Sequence, residues 1–361
     1  MCESEPIQVK SYKHTYSVSF KKDFFSTIKD LSENKKNLFI LDANVLNLYK
    51  DRFPIIVSPL IIEATEENKS LDKFTDYIME LTNKGLKKDC TIVAIGGGII
   101  QDISCFIAST IFRGIDWVFI PTTLLAQADS CIGSKSSINV GEIKNLLGTF
   151  NPPRKIYLSA EFLKTLKKQD ILSGVGEMIK VHVIGGQSEF TKIDQNYDDL
   201  FQNEQVLSSF VRNSLILKRT LAELDEFDKG PRNVMNYGHT FGHAIESATD
   251  FSIPHGIAVT IGMEMANLFS AKTNNMPYSL HDKMAIVIKR NIGDCTNNVD
   301  FKIEKFFSAI KKDKKNIGNK IALILPTGKE GKVEKKMFEK DTFFDEFCTS
   351  FFKECGFEIR E

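Results

Sequence analysis

The chain has 361 residues, of which 42% are hydrophobic, and 47 Lys plus Arg stand against 47 Asp plus Glu. That is room for two domains of roughly 150 residues each with a sizeable buried core. A formal charge of zero argues against a generally basic surface for nucleic acid or anionic lipid, and no apolar run approaches the roughly 18 residues of a membrane span.

The N-terminal ten residues are polar and acidic and lack an apolar leader segment, so a cytoplasmic protein is expected. A strand is predicted at 37–41 (NLFIL), ending at Asp42, and another at 55–57 before the turn at Pro59. Residues 68–83 read as a helix, because Leu71, Phe74, Ile78 and Leu81 form one stripe among charges. Residues 90–95 (CTIVAI) are the type of strand that is buried on both faces, and it runs into Gly96, Gly97 and Gly98. A helix over 102–112 and a strand over 117–120 follow. This alternation points to a parallel sheet with helices on its faces. Beyond Asn151, Pro152 and Pro153 the pattern becomes helical, notably over 205–227 and 256–274, with a late strand at 321–326 (IALILP). The seven cysteines are scattered without a CxxC pair and read as free thiols of a reducing compartment.

Two features carry chemistry. The first is the strand, triple-glycine and helix sequence at 91–102, the geometry of a phosphate-binding turn, although its spacing is not GxGxxG. Asp42 and Asn44 after one strand, and Thr122 and Thr123 after another, place polar groups on the same sheet edge, as a nucleotide lying across the sheet requires. The second is a histidine cluster. Only six histidines are present, and His239, His243 and His255 lie close together. His239 and His243 share a helix face, so they could bind a metal together or divide the roles of ligand and acid–base group. Glu177 is a candidate carboxylate to complete a zinc set, and the glycines beside His239 and His243 suit tight packing against a ligand or another helix.

Together these segments resemble the dehydroquinate synthase family, the sugar phosphate cyclases. The stretches that carry the resemblance are GGGIIQD at 96–102, Arg113 with Gly114, PTTLLAQADS at 121–130, KNLLG at 144–148, GEMIK at 176–180, RNVMNYGHTFGHAIES at 232–247 and His255 with Gly256. They run in order from about residue 40 to 330. The resemblance implies an N-terminal Rossmann-like NAD-binding α/β domain, placed at 1–160, and a C-terminal mainly helical domain at 161–361 for metal and substrate, with the site in the cleft between them.

The resemblance also implies residue roles. Glu177, His239 and His255 are the implied metal ligands, for zinc or else cobalt. The implied NAD contacts are Asp42, Asn44, Glu66, Lys69, Gly97, Gly98, Asp102, Thr122, Thr123 and Leu125. The implied substrate set is Lys135, Asn145, Lys180, Lys218, Arg232, Asn236 and His243, with Lys314 as a further contact. Asp129 and Lys144 fall where the two sets meet. Arg113 matches an arginine that reaches the substrate phosphate of a neighbouring subunit, so a homodimer is implied. The implied reaction converts a small phosphorylated keto-sugar acid, 3-deoxy-D-arabino-heptulosonate 7-phosphate, to 3-dehydroquinate and phosphate, with NAD reduced and reoxidised in each turnover.

Some positions depart from the pattern. Gln101 stands where glycine is common, and Gly133, Ser134, Lys135 and Ser136 replace Gly-Gly-Lys-Thr. The proline pair at 152 and 153 is more typical of cyclases acting on sedoheptulose 7-phosphate or related substrates, which form the alternative reading; a metal-dependent alcohol dehydrogenase is the more distant one. Asn236, His243, Lys218 and Arg232 favour the keto-acid substrate.

Overall fold

The computed structural model describes residues 5–54, 56, 58–313 and 316–360. Lys314 and both ends of the strand expected at 55–57 lie outside the described residues. The chain divides into two compact units: Met1–Leu166 with Leu207–Phe227, and Lys167–Val206 with Asp228–Glu361. The stretch Leu207–Phe227 was expected in the second domain. It belongs to the first unit, where Lys218 pairs with Asp129, and Glu226 accepts hydrogen bonds from Ser11 and Ser134.

The first unit contains β1 (Ile7–Val9), β2 (Tyr16–Phe20), α1 (Phe24–Glu33), β3 (Asn37–Asp42), α2 (Ala43–Leu48), β4 (Leu60–Ile62), α3 (Phe74–Asn83), β5 (Thr91–Gly96), α4 (Gly98–Thr110), β6 (Asp116–Pro121), β7 (Lys135–Val140), β8 (Ile143–Phe150) and β9 (Lys155–Leu158). Seven of these strands form one sheet, ordered β1-β2-β9-β6-β5-β3-β4, which is parallel except for the β1–β2 pair. Residues Ile92 to Ile95 of β5 have no more than a trace of exposure, as a strand covered on both faces requires. The chain leaves β3 for the edge strand β4 and then returns to lay β5 on the other side of β3. The carboxyl ends of β3 and β5 therefore flank a topological switch point, the place where open α/β sheets bind ligands.

Two sequence expectations need correction. The helix expected over 68–83 begins only at Phe74. Before it, two short 3-10 turns are separated by Ser70, whose backbone is extended. The Lys69 side chain is buried there against Asp102 and Asn145 instead of following a helix surface. The helix expected over 102–112 starts earlier, at Gly98, directly out of the glycine turn, and ends at Thr110. Phe112 and Arg113 have φ of 51° and 65°, which a right-handed helix does not accommodate. The β7–β8 hairpin was not anticipated.

The second unit is mainly helical. Its elements are α5 (Lys168–Ile184), α6 (Gln187–Gln195), α7 (Asp199–Gln202), the first turn of α8 (Glu204–Leu224), α9 (His239–Ala248), α10 (His255–Lys272), α11 (Tyr278–Ile292), β10 (Asp300–Lys302), α12 (Ile303–Lys312), β11 (Lys320–Thr327), β12 (Lys332–Glu339), α13 (Thr342–Glu354) and β13 (Glu358–Arg360). Helix α10 is its axis. Every residue from Gly256 to Asn267 is buried, as in a helix covered by protein on all sides. It packs against α5, α9 and α11. Strand β11 occupies the run expected at 321–326 and pairs antiparallel with β12. Among the described residues, no helix is long and apolar enough to cross a membrane, and the six cysteines are all unpaired.

Candidate functional site

In the second unit, the histidine cluster is assembled by helix packing. A Cβ on Gly256 of α10 would lie 1.9 Å from the Ser173 carbonyl oxygen of α5, and one on Gly262 would lie 2.1 Å from the Gly238 carbonyl oxygen at the head of α9. Only glycine permits these approaches. They bring Glu177 of α5, His239 and His243 of α9, and His255 of α10 to one place. The glycines near the histidines thus serve helix-to-helix contact. The His239 ring lies 5.3 Å from both the His243 and His255 rings, centroid to centroid. Nitrogen atoms of the three histidines all lie within 4.8 Å of one another.

The Glu177 carboxylate completes the group. Its Oε1 is 3.7 Å from His239 Nε2 and 3.5 Å from His255 Nε2. Two ligands roughly 2.0–2.1 Å from a tetrahedral ion lie about 3.3 Å apart, so these residues fit a zinc ion. The remaining ring nitrogens are engaged in the manner of metal-binding histidines. His239 Nδ1 faces the Tyr237 carbonyl oxygen at 3.1 Å, and His255 Nδ1 faces Glu246 Oε2 at 3.1 Å. Both partners accept, so in the neutral ring the proton sits on Nδ1 and Nε2 keeps the lone pair that a metal could take. Burial, with the nearby Lys180, His243 and His255 charges, holds His239 well below the ordinary histidine range. Burial also acts to lower His255, but the charge and hydrogen bond of Glu246 and the charge of Glu177 outweigh it and raise it to about 9. Lys180, one turn after Glu177, is buried and pairs with the Glu177 carboxylate. Arg232 is buried and Asn236 half-buried on the 3-10 segment Pro231–Asn236, which leads to His239. His243 is exposed.

In the first unit, the expected dinucleotide residues gather at the switch point. Asp42 ends β3, and its carboxylate accepts the Asn44 N–H at 2.9 Å. Burial raises its pKa, against the pull of the Asn44 and Val45 N–H groups. Gly97 caps α4 and Gly98 opens it, and a Cβ on Gly98 would meet nothing within 4 Å. An open backbone at a helix N-terminus fits a phosphate group. Thr122 and Thr123 follow β6 next to this turn: Thr122 N donates to Gly96 O at 3.0 Å, and the Thr123 methyl would be 2.8 Å from a Cβ on Gly97. Leu125 is half-buried just beyond them.

A second group centres on Asp102 of α4. Lys69 Nζ donates to Asp102 Oδ2 at 3.1 Å and to Asn145 Oδ1 at 2.8 Å, and the Ser137 N–H donates to Asp102 Oδ1 at 3.1 Å. Burial raises the Asp102 pKa, with Lys69 and the Ser137 N–H opposing. Glu66 lies 3.8 Å from Lys69 and 3.9 Å from Lys144. Asn145, expected with the substrate set, thus stands among residues expected to meet NAD. Asp129 and Lys218 form a third pair, with a 2.8 Å ion pair and a 2.6 Å bond from Lys218 Nζ to the Asp129 carbonyl oxygen. Lys135 is exposed at the start of β7, and Arg113 is exposed in the turn after α4.

Two structural partners escaped the sequence reading. Glu246, which orients His255, lies seven residues after His239, two turns along the same face of α9, and that spacing was available as a signal. Asn139 donates to Glu66 Oε2 at 2.9 Å and accepts the Asn145 N–H at 3.0 Å. Nothing local marks it, because its partners are 73 and 6 residues away.

The family model described as 3-dehydroquinate synthase N-terminal matches residues 59–173, and the one described as 3-dehydroquinate synthase C-terminal matches residues 174–316. The chain belongs to the 3-dehydroquinate synthase family. A 3-dehydroquinate synthase of Thermoanaerobacter sp. is 35% identical over 343 residues, covering 91% of this chain and 95% of the relative. One from Dictyoglomus thermophilum is 38% identical over 321 residues, covering 87% and 89%. The fold is shared with a crystal structure of 2-deoxy-scyllo-inosose synthase complexed with carbaglucose-6-phosphate, NAD+ and Co2+. That match has a TM-score of 0.80 at 22% identity and covers 94% of this chain and 98% of the other.

Proposed function

We propose that this chain is a 3-dehydroquinate synthase, converting 3-deoxy-D-arabino-heptulosonate 7-phosphate to 3-dehydroquinate and phosphate with bound NAD and zinc, as a cytoplasmic homodimer. The observation that carries the reading is the convergence of His239 Nε2 and His255 Nε2 on Glu177 Oε1, in a chain whose relatives of that name match it nearly end to end. When bound, the metal would polarise substrate oxygens and NAD would accept and return a hydride.

The protein's own part is to bind, orient and move protons. His239, His255 and Glu177 hold the ion, and Glu246 and the Tyr237 carbonyl fix the rings. His243 is the remaining imidazole of the cluster, suited to carry a proton to or from a substrate hydroxyl near neutral pH. Lys135, Lys180, Lys218 and Arg232 supply cations for a substrate bearing a phosphate and a carboxylate, with Asn236 as a neutral hydrogen-bonding partner. Arg113 extends this set to a neighbouring subunit. The glycine turn with Asp42, Asn44, Thr122, Thr123 and Leu125, and the Lys69–Asp102 group with Glu66 and Lys144, hold the dinucleotide. Asp129 keeps Lys218 in place.

The test is phosphate release by purified protein supplied with zinc and sub-stoichiometric NAD, offered the seven-carbon keto-acid phosphate and sedoheptulose 7-phosphate in parallel. Turnover of the keto-acid without net NADH supports the reading. Turnover of sedoheptulose 7-phosphate alone replaces it with another cyclase, and steady NADH accumulation with a dehydrogenase.

A further inference from the structure

The buried Gln101 side chain makes a reciprocal pair with Ser130. Gln101 Nε2 donates to the Ser130 carbonyl oxygen at 2.7 Å, and Ser130 Oγ donates to Gln101 Oε1 at 2.6 Å. The carbonyl can only accept, which fixes the orientation of the amide. A glutamine is long enough, and both donor and acceptor, so glutamate, asparagine and methionine each lose at least one of these bonds.

The pair closes an unusual piece of backbone. Residues Ala126–Ser130 form one π-helical turn, a geometry that shifts carbonyl groups out of the regular ladder. The Asp129 carbonyl in this turn accepts the Lys218 ammonium. Three residues beyond Gln101's partner, Gly133 and Ser134 both have positive φ, at 105° and 65°. Glycine adopts that conformation without strain and serine does not. Ser134 holds it while its Oγ donates to Glu226 Oε1 at 2.6 Å, just past the end of α8, the helix that carries Lys218. The segment 129–135 is therefore tied at one end to α4, which begins in the glycine turn, and at the other to the end of α8.

We infer that Gln101 and Ser134 are positioning residues: they hold the segment 129–135 so that Lys218 and Lys135 are pre-organised for the anionic substrate. Neither touches substrate; each acts through the lysines. The inference rests on the proposed function for what those lysines bind. It gives a physical role to two positions where the sequence leaves the family pattern, since glycine at either one could make no such tie.

The test uses the zinc- and NAD-loaded enzyme. Gln101→Met and Ser130→Ala should each raise KM for the sugar phosphate about tenfold while changing kcat less, because pre-organised binding is lost. The double variant should be no worse than Gln101→Met alone, since Gln101→Met already removes both bonds and Ser130→Ala only the one made by the hydroxyl. Ser130→Thr, which keeps the hydroxyl, should restore a near wild-type KM. Ser134→Gly relieves the backbone strain, so it should fold at least as well as wild type yet show a raised KM; it keeps the test alive if Gln101→Met folds poorly. In all five, dinucleotide affinity should stay within about twofold of wild type. Wild-type KM in Gln101→Met and Ser134→Gly, or additive losses in the double variant, would overturn the inference. If wild type turns over no sugar phosphate, the function reading fails, and the tie is judged by hydrogen exchange. Faster exchange confined to amides 127–135 in the variants upholds it, and unchanged protection there overturns it.

Discussion

The two units hold their polar clusters by different physical means. In the first, Lys69, Asp102, Asn145 and Asn139 are held by one another through side-chain hydrogen bonds between a helix, a 3-10 turn and a hairpin. The glycine that opens α4 has free space where a side chain would be. In the second, α10 meets α5 and α9 backbone to backbone, and the histidines and Glu177 stand where those contacts put them. A cluster of the first kind can adjust by rotamer changes. One of the second kind can adjust only by moving helices in a close-packed interior.

The sharpest way to break that contrast is to add one methyl group to each unit. Gly256→Ala places a Cβ against the Ser173 carbonyl, where neither backbone has a rotamer to change. We expect a loss of about 3 kcal/mol, the upper end of overpacking effects, together with loss of zinc from the purified protein. Denaturant unfolding and metal analysis measure the two. Wild-type stability with one zinc per chain would show that the glycine contact does not set the site. The next effect in size is Glu246→Ala. It leaves the proposed ligands Glu177, His239 and His255 intact but removes the acceptor on His255 Nδ1, and removal of such a partner typically weakens metal binding about 10–100-fold. Competitive titration with a chelator reads it, and unaltered affinity would mean that helix packing alone orients the ring.

The counterpart in the first unit is Gly98→Ala. Its Cβ points into open space and the residue opens a helix, so stability should be unchanged or higher by up to about 1 kcal/mol. Dinucleotide affinity should nevertheless fall, by about tenfold, because the methyl group occupies the place where a phosphate would approach. Thermal unfolding and a dinucleotide titration separate these outcomes. Unchanged affinity would remove the glycine turn from the proposed binding site.

This division also explains what the sequence could disclose. Strands β3, β5, β6 and β11 announced themselves because a strand buried on both faces is a continuous apolar run with polar ends. The histidines of α9 are legible because a spacing of four residues is local on a helix, and Glu246, seven residues after His239, is legible on the same ground. The start of α3 at Phe74 was not legible, because the stripe through Leu71 is helical in pattern and is overridden by Lys69 turning inward to partners 33 and 76 residues away. The β7–β8 hairpin was hidden for a related reason: most of β8 is exposed, so it lacks the apolar alternation of a half-buried strand. Lys218 illustrates the limit of chain position as a guide to domain membership. It lies deep in the helical stretch, and its bonds to Asp129, with those of Glu226 to Ser11 and Ser134, show that its helix belongs mostly to the sheet-containing unit.

Both units also bury a carboxylate against a cation, and here the difference becomes one of pH. Asp102 faces Lys69, whereas Glu264 on α10 is buried beside His281 of α11, with 3.3 Å from His281 Nε2 to Glu264 Oε1. Asp282 also faces His281, at 2.9 Å from Nδ1, and Lys289 lies 3.7 Å from Glu264. Of the two cation types, only histidine ordinarily exchanges its proton near neutral pH. The Glu264 carboxylate beside its Nε2 raises the His281 pKa, burial opposes it, and Asp282 adds to the rise. A histidine whose folded pKa lies above its unfolded value contributes stability that is fully present below the unfolded value, near 6.5, and lost as pH rises through the folded one. The midpoint of thermal unfolding of wild type relative to His281→Gln should therefore be highest at pH 6 and decline steadily above pH 7. The change should be smaller than any of the effects above, since Lys289 remains beside Glu264 after His281 loses its proton. A difference that stays constant from pH 6 to 9 would mean that His281 contributes by packing in the second unit and not by charge.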